Sequence, residues 1–124
     1  MSKIRKYKIS SGPIAADGTA SAYSVPIRGK ILAVGVNYPT HTCTVDLDSD
    51  GEASAQKILD LSAANTDATY YPRVQVHDNT GTGITYDGTH EVYEPFVVYG
   101  RVKLSIASGT EGEKVTVYLM VEEE

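Results

Sequence analysis

A two-residue hydrophobic period runs through most of the chain, and it constrains the fold more than any other feature. Successive side chains of a strand point to opposite faces, whereas a helix repeats every 3.6 residues. Residues 42–47 show the strand period: Cys43, Val45 and Leu47 point one way, and Thr42, Thr44 and Asp46 the other. In residues 96–106, Phe96, Val98, Gly100, Val102, Leu104 and Ile106 share one face, while Tyr99, Arg101, Lys103 and Ser105 share the opposite one. Val115, Val117, Leu119 and Val121 repeat the pattern, which predicts a closing hairpin turned by residues 108–113. Gly100 in mid-strand predicts a bulge or a close backbone approach.

The remaining segments read the same way. Residues 4–9 form a first strand with charges on alternate positions, broken by Ser11, Gly12 and Pro13. Asp17-Gly18 is a tight-turn signature, because that pair tolerates the positive φ that hairpins require. Residues 20–25 form a second strand. Residues 27–38 are apolar on both faces, as expected of a strand covered on both sides or of one in the middle of a sandwich. Residues 53–64 are the one window where helix formers gather, and a strand over 56–61 is the favoured reading. Residues 70–77 alternate again, and polar turns follow at 78–83 and 86–89.

About eight short, mainly antiparallel strands result, in one domain spanning residues 1–124. Such a chain is all-β, a β-sandwich or a jelly-roll-like barrel. A chain of 124 residues buries enough surface to fold without disulfides or a structural metal. The lone cysteine, Cys43, has no internal partner and is predicted to be a buried, inert thiol.

Charge is distributed unevenly. Lys3, Arg5, Lys6 and Lys8 crowd residues 1–10, which read as a basic arm or an edge strand. Residues 122–124 are an acidic tail able to pair with that arm in another copy, and the formal net charge is -5. An acidic balance argues against a nucleic-acid partner. No run is long and apolar enough to span a bilayer as a helix, and the positive N-terminus lacks the apolar core of a signal peptide. The aromatic content is nine Tyr, one Phe and no Trp, which suits half-buried positions and contact surfaces.

Catalytic motifs do not emerge. There is no nucleophile elbow and no Cys-His-Asn set, so the expectation is a protein that is not an enzyme and needs no cofactor. His41, His77 and His90 are scattered singly, unlike paired metal ligands. Asp46, Asp48 and Asp50, followed by Gly51, are candidate calcium ligands, since alternate carboxylates wrap a hard cation. A complete calcium loop wants Glu at its twelfth position, where Lys57 stands.

Three stretches carry a family resemblance. They are Gly29-Lys30-Ile31-Leu32-Ala33-Val34-Gly35-Val36, the run from Asn65 through Tyr70, Tyr71, Pro72 and Arg73, and the segments from Val97 to Val102 and from Val115 to Leu119. Together they resemble the small β-sandwich virion proteins of tailed bacteriophages, of the capsid decoration (head-stabilising) type. The resemblance implies a non-enzymatic virion structural protein, made in the host cytoplasm, that binds the outside of a phage head after the shell assembles. It implies a homotrimer clamping the major capsid protein. The resemblance carries over no binding residue; by charge and aromatic character the candidate contacts are Lys3, Arg5, Lys6 and Lys8 with Tyr70, Tyr71 and Arg73. A carbohydrate- or receptor-binding module, as on a tail fibre or in a lectin-like domain, is the alternative.

Overall fold

A computed structural model describes residues 3–50 and 55–123. Among them are the strands β1 (Lys3–Ser10), β2 (Ala20–Tyr23), β3 (Ile27–Asn37), β4 (Cys43–Ser49) and β5 (Lys57–Ala64). The later strands are β6 (Ala68–Tyr70), β7 (Arg73–Gln75), β8 (Tyr93–Gly100), β9 (Val102–Ala107) and β10 (Thr116–Glu123). All pairings are antiparallel. One sheet has the order β1-β10-β3-β8-β7, with β6 also on β3, and the other has the order β2-β9-β4-β5. The inward residues of both sheets form one core, including Ile9, Val34, Leu47, Leu104 and Leu119. The all-β sandwich expected from the periodicity is present, and residues 57–64 are strand rather than helix. Each fully buried Val, Leu or Ile contributes about 1.5–3 kcal/mol.

In β3 the inward residues are Ile27 and Ile31, then Val34 and Val36. The phase slips by one between them. Val121 of β10 pairs with Ile31 and Met120 pairs with Ala33, so Leu32 is an extra residue, a β-bulge. β3 is an interior strand of the sandwich and is not covered on both sides: it holds one buried face with a phase change, and Leu32, Ala33 and Gly35 are half-exposed. The Leu32 carbonyl accepts a hydrogen bond from Arg73 Nη1 at 3.1 Å. A second slip, between Leu47 and Asp48 opposite Leu59 and Lys57, accounts for Ile58 and Leu59 both being buried.

Two segment readings are corrected. Residues 96–106 are not one strand, and they make no hairpin with β10. At Gly100 (φ 128°) the chain leaves the larger sheet, and β9 pairs β2 and β4 while β10 pairs β1 and β3. Inward residues keep their period across the crossing, which is why the sequence reads as a single strand. Residues 70–77 are likewise split by Tyr71 and Pro72 into β6 on β3 and β7 on β8. Pro lacks the N–H that an uninterrupted ladder would use.

Among the described residues, three buried serines share one task at ends of the ladders. Ser11, Ser24 and Ser49 Oγ each accept a backbone N–H, from Val115, Val102 and Gln56 respectively. A hydroxyl thereby satisfies a donor that would otherwise be buried unpaired.

At Gly29 the backbone of β10 comes too close for a side chain. A Cβ there would lie 2.3 Å from the Glu122 carbonyl oxygen, at φ +153°. Gly29→Ala is expected to cost about 2–4 kcal/mol through overpacking and backbone strain. Urea unfolding followed by far-ultraviolet circular dichroism checks this; an unchanged midpoint would refute it.

Candidate functional site

The two sheets present different outer faces. On the smaller sheet, register aligns Tyr23, Lys103 and Asp48 in one row and Ser21, Ser105, Asp46 and Asp60 in the next. Its charges are mutually engaged: Lys57 Nζ lies 3.4 Å from Asp48 and 3.9 Å from Asp46. Arg101 sits over the Tyr23 ring at 4.1 Å and bonds Asp50 at 2.7 Å. On the larger sheet one row runs Ile4, Glu122, Lys30, Val97, and another sets Arg28 beside Tyr99. Ile4, Val97, Tyr99 and Tyr93 are all more than half exposed, and Met120 is also exposed.

The Tyr99 side chain is held in place. Arg28 lies 4.8 Å from its ring centroid and donates from Nη2 to its hydroxyl at 2.9 Å. A cation over an aromatic face is attracted by the ring quadrupole, and the hydrogen bond fixes the tilt. Lys6 covers Tyr118 in the same manner at 4.5 Å.

A cleft of about 580 Å³ opens where β1, β3, β8 and β10 meet. Lys3, Arg5, Arg28 and Lys30 line it, against Glu122 and Glu123, with Val97 as an apolar wall. Glu123 is engaged from within. It pairs with Arg5 at 3.5 Å and accepts from the Tyr7 hydroxyl at 2.5 Å. That hydrogen bond is the main reason the Tyr7 pKa is raised, with burial adding to it. Among the described residues four cations face two carboxylates, a cationic balance.

These positions divide the residues expected to contact a partner. Lys3, Arg5, Lys6 and Lys8 lie on β1, at one edge of the larger sheet. Tyr70, Tyr71 and Arg73 lie on the far side of β3, so the structure does not bring the two sets together. Tyr70 packs on the core and the Arg73 guanidinium is bonded to the Leu32 and Pro72 carbonyls; Tyr71 is exposed. The basic segment is a paired strand, and its acidic neighbour is Glu122 and Glu123 of the same chain. Glu124 lies outside the described residues. Arg28, Lys30, Val97 and Tyr99 were not anticipated as a group; the outward phase of Arg28 and Lys30 becomes visible only once Leu32 is known to be a bulge, and their neighbourhood with Val97 and Tyr99 only from the β3–β8 register.

The candidate calcium ligands diverge. Asp46 and Asp48 point outward from β4 and share Lys57, whereas Asp50 turns to Arg101. Gly51 lies outside the described residues. Burial raises the Asp46 pKa above the ordinary carboxylate range, the Lys57 charge opposes this, and the Asp60 and Asp48 carboxylates add to the rise. Two of the histidines pair with acids that are not their sequence neighbours: His41 with Glu113 at 3.2 Å and His90 with Asp87 at 2.5 Å. Asp17, Asp78 and Asp87 accept hydrogen bonds within their own turns. The Thr19, Thr80 and His90 contacts respectively are the main causes lowering their pKa values. The Cys43 thiol is fully buried, and burial, then the Glu113 charge, push its pKa up. No described helix is long and apolar enough to cross a membrane.

No protein-family model and no curated protein matches the chain.

Two outcomes follow from the Asp46 cluster. A carboxyl whose folded pKa is raised favours the fold while protonated, and that contribution is lost as pH rises through the folded value. Asp46→Asn is therefore expected to melt a few degrees higher than the parent near neutral pH, with the difference vanishing near pH ~3, where the parent is protonated too. A destabilised variant at neutral pH would refute this. Calorimetric titration with calcium is expected to give no binding heat up to about 1 mM, because Lys57 already bridges Asp46 and Asp48; a saturable heat would assign these carboxylates to calcium.

Proposed function

We propose that this chain is a non-enzymatic structural protein of a virion, one that binds the outside of a phage head as a decoration protein and stabilises the shell. The outer face of the larger sheet carries the reading. It combines exposed Tyr93, Val97, Tyr99 and Met120 with Arg28 fixed over Tyr99. Tyr, Met and Arg are the residue types enriched at the centres of protein interfaces. The opposite face also carries an Arg over an exposed ring, Arg101 on Tyr23, but that Arg is bonded to Asp50 and the neighbouring Lys57 to Asp46 and Asp48.

Rigidity supports the same role. Arg28 and Tyr99 stand on paired strands, so little side-chain freedom is left to lose on docking. The proposed partner is the major capsid protein, met by a homotrimer at symmetric points of the shell.

The second reading is a carbohydrate- or receptor-binding module. The exposed Tyr99 and Tyr93 rings support it, since a sugar ring stacks on an aromatic face.

Light scattering after size exclusion is expected to give the mass of a trimer. The protein is expected to co-sediment with empty heads assembled from the capsid protein of the same genome. Val97→Glu and Tyr99→Ala are each expected to weaken that binding about tenfold or more, roughly 1.4 kcal/mol. Absence of co-sedimentation, together with saturable hits on a glycan array, would replace the shell reading with the second.

A further inference from the structure

Among the described strands, β1 has one paired edge and one open edge. Lys3 through Ser10 pair along their whole length with β10, and no described strand pairs with the other side. The direction of the backbone groups follows from one bond: the Ser11 N–H donates to the Val115 carbonyl at 2.9 Å. In an antiparallel ladder alternate residues direct both backbone groups to the same neighbour. Ile9, Tyr7, Arg5 and Lys3 therefore bond β10. Ser10, Lys8, Lys6 and Ile4 aim their N–H and C=O groups at the open side.

An open strand edge invites another strand, and charge decides which. A second copy of β1 fits poorly. Antiparallel registers that align the open groups set Lys6 against Lys6, Lys6 against Lys8, Lys8 against Lys8, Arg5 against Arg5, or Lys3 against Arg5. Like charges directly opposite destabilise a pair. An acidic strand meets the reverse condition. Lys6 and Lys8 flank its path on the outer side, and the cationic cleft lined by Arg28 and Lys30 lies at the Lys3 end. The Arg5 charge is already shared with Glu123, so the outward lysines set the selectivity.

We propose that β1 accepts an extended acidic segment of a partner protein as an added strand, bonded to the open backbone groups of Ile4, Lys6, Lys8 and Ser10 and neutralised by Lys6, Lys8 and the adjoining cleft. This goes beyond the shell reading, since it names the chemistry of the segment and holds for whichever protein carries it.

The test uses a dye-labelled, capped octapeptide alternating Val and Glu, titrated with the full chain by fluorescence anisotropy. Binding is expected, weakening as ionic strength rises, and a peptide with Lys in place of Glu is expected not to bind. Lys6→Pro removes an N–H that faces the open side and no rung of the β1–β10 ladder. It is expected to weaken binding about tenfold while leaving the circular dichroism unchanged. Should that variant not fold, N-methylation of alternate peptide nitrogens tests the same bond on the unaltered protein, and one of the two methylation phases is expected to abolish binding. No binding up to about 1 mM peptide, or binding indifferent to both methylation phases, overturns the proposal. Either result leaves co-sedimentation with heads to stand or fall separately.

Discussion

Leu32 is the extra residue that lets one strand serve two halves of a sheet. Before it, β3 pairs β8 and turns Arg28 and Lys30 outward; after it, β3 pairs β6 and turns Val34 and Val36 inward. A strand has a period of two, so an unbroken β3 could not satisfy both halves. Keeping the second half buried would have forced Ile27 and Ile31 into solvent and Arg28 into the core. Arg73 stabilises the slip by bonding the Leu32 carbonyl, and β10 follows the bend on the other side. The cationic rim, the Arg28–Tyr99 pair and the apolar surface around Val97 all inherit their orientation from that one insertion.

Electrostatics then separates the two faces. Lys57, lying between Asp46 and Asp48, and Arg101, lying between Tyr23 and Asp50, close the smaller sheet's surface with short internal contacts. On the larger sheet the cations lie over rings or along an edge, where part of their charge still faces outward. Solvent-exposed ion pairs contribute little to stability, so the main effect of the pairing is on what each face presents to other molecules.

Much of this was legible in the period of the sequence. The alternation in residues 42–47 and 115–121 reports β4 and β10 directly, and the buried state of Cys43 follows from its phase. The crossing at Gly100 was not legible. An inward residue stays inward whichever sheet it belongs to, so Phe96 to Ile106 reads as one strand although it serves both. The same blindness hid the site: Arg28 and Tyr99 are 71 positions apart, and nothing local to either announces the other. The basic run at Lys3 to Lys8 was visible as charge, but its pairing with Glu122 and Glu123 depends on topology. The acidic triplet Asp46, Asp48, Asp50 shows the converse, a strong local pattern whose members are drawn to different cations.

The β1–β10 pairing also orders events in time. Tyr7 and Glu123 are separated by 116 positions, and closing so long a loop is entropically costly until other contacts have shortened it. A ribosome releases the basic strand well before its partner. Lys3 to Ser10 must therefore wait, solvated by their charges, while the smaller sheet and β3 with β8 assemble. The same strand can also detach in the native state without dismantling the sheet, since its loss leaves β10 paired on β3.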